Sequence, residues 1–260
     1  MNRFWAILFF MVPVLAVGTF ILAALDVGPM KGLWLPKNIN THGESIDSLW
    51  NLTHIIGAVI LIGTGFALAI GVWSFGARSH DRFRYFSHNN RLEVLWSIIP
   101  AIVLVSLAFA QMPAWFENKQ SHPMVTVNGQ EVFKSPLARV VARRFGWEVY
   151  YPGPDGVLET ADDLYFENEL HVPFGEEVVL QLESRDVIHS FFIPSLRVKQ
   201  DIVPGHVHNI WFHATEAQET SLVCAELCGW GHYTMHARVS IKERAAFDSW
   251  MSDQLTGDAN

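Results

Sequence analysis

Cys224 to Met235 reads CAELCGWGHYTM. Cys224 and Cys228 are the only cysteines, and His232 and Met235 follow at once. Two thiolates, an imidazole and a thioether are soft or borderline donors, a set that favours copper over magnesium or calcium. The spacing Cys-x3-Cys-x3-His-x2-Met gathers all four donors in one short loop. A mononuclear blue-copper site uses one thiolate, so the second cysteine points to two metals sharing bridging sulfurs. Upstream, Asp186-Val187-Ile188-His189-Ser190 offers a second imidazole. Two blander readings stand beside this one. The cysteines form a disulfide if the domain lies outside the cytoplasm. Alternatively, His232 and His236 complete Cys-x3-Cys-x3-His-x3-His, a structural zinc set. Neither gives Met235 or the Asp186–Ser190 run a role. The absence of Cys-x-x-Cys-His excludes a covalently attached haem.

Around this loop the chain reads as all-β. Short β-branched and aromatic segments recur between turn signals at Met124–Val127, Val140–Tyr151, Glu177–Glu183, Val207–Phe212, Val223 and Ala237–Ile241. Tyr151 to Gly156, YPGPDG, is a turn-rich break. Many short strands at such spacing predict a sandwich or Greek-key barrel. Ala245 to Leu255 reads as a short terminal helix.

The first part of the chain is different. Of 260 residues half are hydrophobic, and the surplus lies before Pro113. Phe4 to Leu25 is an uncharged apolar run long enough to span a bilayer. It follows Arg3, as a signal peptide would. Its apolar core exceeds a usual signal core, and Ile21-Leu22-Ala23-Ala24 is a poor cleavage site, so a retained helix is expected, kinked at Pro13. After a polar connection from Asp26 to Asn51 comes a second span, Leu52 to Phe75, whose glycines allow close helix packing. Arg78, Arg82, Arg84 and Arg91 then stand against one acid, Asp81, which places that loop in the cytoplasm. Leu95 to Met112 is the third span and returns the chain to the outer side. The net charge of −8 argues against a nucleic-acid partner and suits a basic protein.

Four stretches in order, SHNNRLEVLWSIIPA, RRFGWEVYYPGPDG, DVIHSFFIPSLRVKQDIVPG and CAELCGWGHYTM, resemble the CuA-containing subunit II of cytochrome c oxidase. The resemblance implies a membrane-anchored all-β protein. A transmembrane helical hairpin (52–113), preceded by an extra span or signal peptide (1–26), would carry a periplasmic cupredoxin-like Greek-key barrel (121–253). It implies a dinuclear copper centre bridged by Cys224 and Cys228, with His189 and His232 each ending one copper. Met235 and the Glu226 carbonyl would be weak axial ligands. The Glu226 carboxylate would meet magnesium at the interface with the haem-bearing catalytic subunit I, a hard ligand for a cation that takes few protein groups.

The implied activity is that of a subunit of a proton-translocating cytochrome c oxidase in the inner, cytoplasmic membrane, working with other oxidase subunits. Electrons from cytochrome c would enter at copper and pass to haem in the partner, where oxygen is reduced. Glu93 matches the glutamate at the mouth of the family's K-type proton channel. It also reads as the N3 residue of a capping box begun by Asn90. Phe145 stands where the family has its electron-entry tryptophan, which leaves Phe145, Trp147 and Trp230 as candidates for electron entry. Asp186 matches an acidic docking position, and Asp162, Asp163, Glu167 and Glu169 form an acidic cluster.

The alternatives are a membrane-anchored copper chaperone and a structural metal-binding domain. In the thioredoxin-like chaperones the Cys pair sits early in the soluble domain and leads into a helix. Quinol oxidase subunits lack the copper ligands, and nitrous oxide reductase needs a second catalytic domain for which this chain has no room.

Overall fold

A computed structural model describes residues 2–75 and 87–257. The arginine-rich loop bearing Arg78, Arg82 and Arg84 lies outside the described residues. The chain divides into two compact units: 1–35 with 47–113, and 36–46 with 114–260.

The first unit is helical. Helices α1 (Asn2–Ala24), α2 (Gly43–Phe75) and α3 (Asn90–Trp115) follow each other in the chain. Within each, 18 or more residues are apolar enough to cross a membrane. Their leucines, isoleucines and phenylalanines are exposed on all sides, the pattern of helices solvated by lipid. α1 runs unbroken through Pro13. One glycine of α2 explains its seat: a Cβ on Gly65 would stand 2.3 Å from Pro13 Cγ and 2.8 Å from the Phe9 carbonyl. Gly57, Gly63 and Gly71 meet nothing, so the close packing expected of several glycines is confined to one. Phe10 and Phe66 extend the contact at 6.3 Å, and Arg3 lies over the Trp73 ring.

At the start of α3 the cap lies one residue earlier than expected. Asn89, and not Asn90, is the cap: its Oδ1 accepts the Leu92 N–H at 3.2 Å. Glu93 Oε1 reciprocates by accepting the Asn89 N–H at 3.1 Å.

The second unit is a cupredoxin-like sandwich. One five-stranded sheet runs β10-β7-β3-β4-β5 and the other β6-β12-β11-β8-β9. The first comprises β3 (Ala138–Arg143), β4 (Gly146–Tyr151), β5 (Leu164–Glu167), β7 (Glu177–Ser184) and β10 (His208–His213). The second comprises β6 (Glu169–Pro173), β8 (His189–Ile193), β9 (Val198–Ile202), β11 (Gln218–Cys224) and β12 (His236–Lys242). The run Val140–Tyr151, expected as one segment, is a hairpin turning at Arg144-Phe145. β3 pairs parallel with β7, and β6 with β12. The remaining pairs are antiparallel, so the chain crosses repeatedly between sheets. Trp147, Tyr151, Phe191, Phe212 and Leu222 fill the space between them, fully buried. A separate hairpin of β1 (Met124–Val127) and β2 (Gln130–Phe133) precedes the sandwich. The terminal helix α4 (Arg244–Thr256) seats Phe247 and Trp250 on the core.

Part of the polar connection is a strap on this sandwich. Ile39 is buried, Asn40 bridges to Ala214, and the Asn40 side chain donates to the Leu196 carbonyl at 2.8 Å. Lys37 pairs with Glu216 at 2.6 Å.

Candidate metal centre

Strand register brings the donors together. β11 ends at Cys224 and β12 begins at His236, so residues 225–235 form the loop between two paired strands whose feet are joined at Val223↔His236. On the other side of β11, Cys224 pairs with Phe191 in β8. This places His189, the first residue of β8, beside the loop. Inside it the Cys224 N–H donates to the Met235 carbonyl, and the Ala225 N–H to Ser190. Turns from His232 N–H to Gly229 and from Met235 N–H to His232 curl its far half back toward the sulfurs.

The resulting donor set is compact. Cys224 Sγ and Cys228 Sγ are 3.9 Å apart. His189 Nδ1 stands 3.8 Å from Cys224 Sγ, and His232 Nδ1 3.6 Å from Cys228 Sγ. Met235 Sδ is 3.8 Å from Cys228 Sγ, and the Glu226 carbonyl oxygen 3.2 Å from Cys224 Sγ. His189, Cys224, Cys228 and Met235 are all buried. Two donors each about 2.0–2.3 Å from a shared metal, at a tetrahedral angle, stand roughly 3.3–3.8 Å apart. The imidazole and thioether spacings fall in this range, and the thiol pair at 3.9 Å lies at its edge, so the set suits a shared metal. A disulfide requires sulfurs at about 2.05 Å, and both cysteines are free. His236, the fourth ligand of the zinc reading, is exposed and its Nδ1–H donates to the Thr234 carbonyl at 2.8 Å.

The electrostatics are those of a ligand pair. Burial pushes the Cys224 thiol up, but hydrogen bonding with His189 and with the backbone at Ser190 and Glu226 outweighs it and holds it at about 6. Burial and the neighbouring Cys224 charge push Cys228 up to about 11. A cation beside the pair would favour ionisation of the second thiol.

A second layer holds the donors. His189 Nε2–H donates to Asp186 Oδ1 at 2.8 Å, which turns Nδ1 toward the sulfur. Asp186 also accepts the Arg144 N–H at 2.9 Å and the Val187 N–H at 2.7 Å. Burial raises its carboxyl, yet these bonds hold it below the usual carboxylate range. Arg144 Nε donates to the Cys228 carbonyl at 3.0 Å. The Phe145 ring lies on the loop glycines: a Cβ on Gly231 would come within 2.6 Å of it, and one on Gly229, whose φ is +142°, within 3.1 Å. Sequence reasoning did not assign Arg144 a part. Its position in RRFGW, the motif that also carries Phe145, was the available signal.

The remaining candidates separate. Trp147 is fully buried, 6.4 Å from the His189 ring. Trp230 is 85% exposed and meets Phe145 edge-on at 5.2 Å. Glu226 is exposed, and its carboxylate has no partner among the described residues. Glu93 lies at the start of α3, in the other unit. Two of the four acids in the cluster are paired with arginines. Glu167 pairs with Arg143, and Glu169 with Arg238 and His171. Asp162 and Asp163 accept hydrogen bonds from Thr160 and from the backbone.

Comparison with known proteins agrees with this construction. Residues 29–113 match the transmembrane domain of cytochrome c oxidase subunit II, and residues 154–242 its periplasmic domain. The chain is 27% identical over 245 residues to the alternative cytochrome c oxidase subunit 2 of Bradyrhizobium diazoefficiens, covering 86% of this chain and 84% of that protein. It is 32% identical over 163 residues to cytochrome c oxidase subunit 2 of Alkalihalophilus pseudofirmus, covering 63% of this chain and 44% of that protein. With the corresponding protein of Cereibacter sphaeroides it shares 27% over 233 residues, 78% of this chain and 74% of that one. Two domain matches in chain order, one on apolar helices and one on a sandwich with a buried Cys–His loop, mean that the chain belongs to the cytochrome c oxidase subunit II family.

Proposed function

We propose that this chain is the electron-accepting subunit of its oxidase: it takes electrons from cytochrome c and hands them to haem in a catalytic subunit, where oxygen is reduced. The observation that carries this reading is the paired geometry of the loop. Each cysteine sulfur has its own imidazole Nδ1, at 3.8 and 3.6 Å, and the sulfurs face each other at 3.9 Å. That arrangement suits a dinuclear copper centre, with His189, Cys224, Cys228 and His232 as ligands and Met235 and the Glu226 carbonyl in weaker positions. When bound, such a centre supplies a one-electron acceptor and donor shared over two metals.

The residues of this chain do the rest. Asp186 fixes the His189 tautomer so that Nδ1 presents its lone pair. Met235, in contact with Cys228, and the burial of both cysteines keep water from the sulfurs. Arg144 and the Phe145 ring hold the loop backbone still, which limits geometric change during electron transfer. Trp230 projects an indole from the loop between Cys228 and His232, the position from which an electron enters. The Glu226 carboxylate faces outward and would take magnesium jointly with the catalytic subunit. Glu93 would admit protons on the cytoplasmic side of the inner membrane, with the sandwich on the periplasmic side. Asp186, with a side chain still 31% exposed, also offers a docking charge to a basic donor.

Metal analysis of the purified full-length protein tests the reading. Two coppers per chain with a mixed-valence spectrum are expected. One copper, or zinc in its place, overturns the assignment.

A further inference from the structure

The helical unit holds a cavity that electron transfer does not use. It measures ≈640 Å³ and lies between α1 and α2, within the range of small-molecule sites. Ala16, Phe20 and Ala24 of α1 form one wall; Asn51, His54 and Leu61 of α2 form the other, with Trp34 from the connection folded over. The α1 wall lies before residue 29, where the family match begins. The cavity is thus a product of the extra helix.

His54 is the chemical centre of this cavity. Its Nδ1 stands 2.8 Å from the Trp50 carbonyl. A carbonyl only accepts, so Nδ1 carries a proton, and in that tautomer Nε2 is the acceptor. No other hydrogen bond is made by the ring among the described residues. Three aromatic rings hold it in place: Trp50 at 4.4 Å, Phe20 at 5.3 Å and Trp34 at 5.8 Å. Phe20 and Trp34 also meet edge-to-face at 5.8 Å. A ligand matched to these walls is apolar, reaches them from the lipid, carries a flat ring that packs on Phe20 and Trp34, and donates one hydrogen bond.

We propose that this cavity binds a lipid-soluble phenol of the quinol class, its hydroxyl donating to His54 Nε2 and its ring lying against Phe20 and Trp34. The proposal concerns binding alone and is independent of the metal loop. An acyl chain fits the apolar walls but leaves the acceptor unpaired. A phospholipid headgroup requires more polar partners than Asn51, His54 and Thr53, whose hydroxyl proton is already given to the Leu49 carbonyl, supply.

The test uses the full-length protein in phosphatidylcholine nanodiscs and a radiolabelled decyl-benzoquinol kept reduced. Saturable binding at one site per chain is expected. Its bis-O-methyl ether, which cannot donate, should bind about fivefold more weakly, the usual worth of one net hydrogen bond. His54→Leu should reduce quinol affinity by a similar factor. His54→Gln retains an acceptor and should recover most of the loss, which separates ligand recognition from a folding defect. Equal binding of quinol and ether, indifference to His54→Leu, or displacement by phosphatidylglycerol at equal mole fraction would overturn the proposal. So would loss of the site in the assembled oxidase, since a partner subunit would then fill the groove.

Discussion

Asp186 Oδ1 lies 2.8 Å from His189 Nε2, and the same carboxylate receives two backbone N–H bonds. One side chain thus connects the β7–β8 turn, the Arg144 turn and a metal-facing imidazole. The family resemblance implies a docking charge here, and the two roles separate experimentally. A docking charge acts on encounter, so Asp186→Asn would raise the Michaelis constant for cytochrome c at low salt only, exposed charges being screened over about 10 Å at 0.1 M. A positioning carboxylate acts at every salt concentration. The three bonds favour positioning, and Asp186→Asn is expected to weaken copper retention about 10–100-fold. Copper titration of the variant, with cytochrome c kinetics across salt, reads both. Unchanged copper affinity with a salt-dependent Michaelis constant would return Asp186 to docking.

The two sulfurs are unequal partners of the thioether. Met235 Sδ lies 3.8 Å from Cys228 Sγ, whereas Cys224 Sγ lies by the Glu226 carbonyl. Cys228→Ser is expected to abolish the paired centre, because one bridging thiolate does not hold two metals. Met235→Leu should keep copper and shift the reduction potential, since a weak axial thioether tunes more than it holds. Spectra and metal content of the purified variants check both. Two coppers with a mixed-valence signal in Cys228→Ser, or complete copper loss in Met235→Leu, would contradict the ligand roles.

Electron entry is expected at Trp230, since Trp147 is sealed in the core while Trp230 is 85% exposed. Trp230→Ala should slow reduction by cytochrome c at least tenfold and leave the copper spectrum intact. Phe145→Ala should do the opposite, broadening the copper spectrum, because its ring supports Gly229 and Gly231. Stopped-flow reduction and electron paramagnetic resonance separate the two. Wild-type reduction rates in Trp230→Ala would move entry elsewhere.

How far the sequence carried depended on where the partners lay. The metal loop was legible because its donors are local, and His189 was legible through its flanking motif. β8 went unread because HSFFI is buried on both faces and shows no alternation. The strap was invisible because one apolar residue, Ile39, docks a segment otherwise polar. The pairing within the acidic cluster was not legible because Arg143 and Arg238, the partners of Glu167 and Glu169, come from other strands. The Asp186–His189 bond needed the turn that folds three residues back on themselves.

Gly65 sets the seat of α1. Gly65→Leu would drive a side chain into Pro13 and the Phe9 carbonyl, an overpacking that costs about 1–3 kcal/mol. A disulfide engineered by Phe10→Cys with Phe66→Cys should form in the parent and fail in the Gly65→Leu background. Intact mass should also show residues 2–24 still attached in the membrane-extracted protein, as a retained helix requires. Undiminished cross-linking would mean that α1 does not depend on that notch.

Glu93 is the harder case, because its carboxylate already has a structural task. Glu93 Oε1 accepts the Asn89 N–H at 3.1 Å while Asn89 Oδ1 caps Leu92 at 3.2 Å. A glutamine at 93 retains a carbonyl oxygen and can keep that bond, so Glu93→Gln removes the titratable group and spares the cap. Glu93→Ala removes both, and Asn89→Ala removes the N-cap acceptor but leaves the carboxylate. If Glu93 only caps, Glu93→Gln is silent and the two alanine variants each lose about 1 kcal/mol of stability. If Glu93 admits protons, Glu93→Gln slows turnover of the assembled oxidase at unchanged stability. Reduction by cytochrome c should stay normal, since Glu93 and the metal loop belong to different units. Asn89→Ala should then turn over normally despite its lower stability. Turnover and thermal unfolding of the three variants in intact complex distinguish these outcomes. Slowed turnover in Glu93→Gln with its unfolding temperature preserved is the expected result.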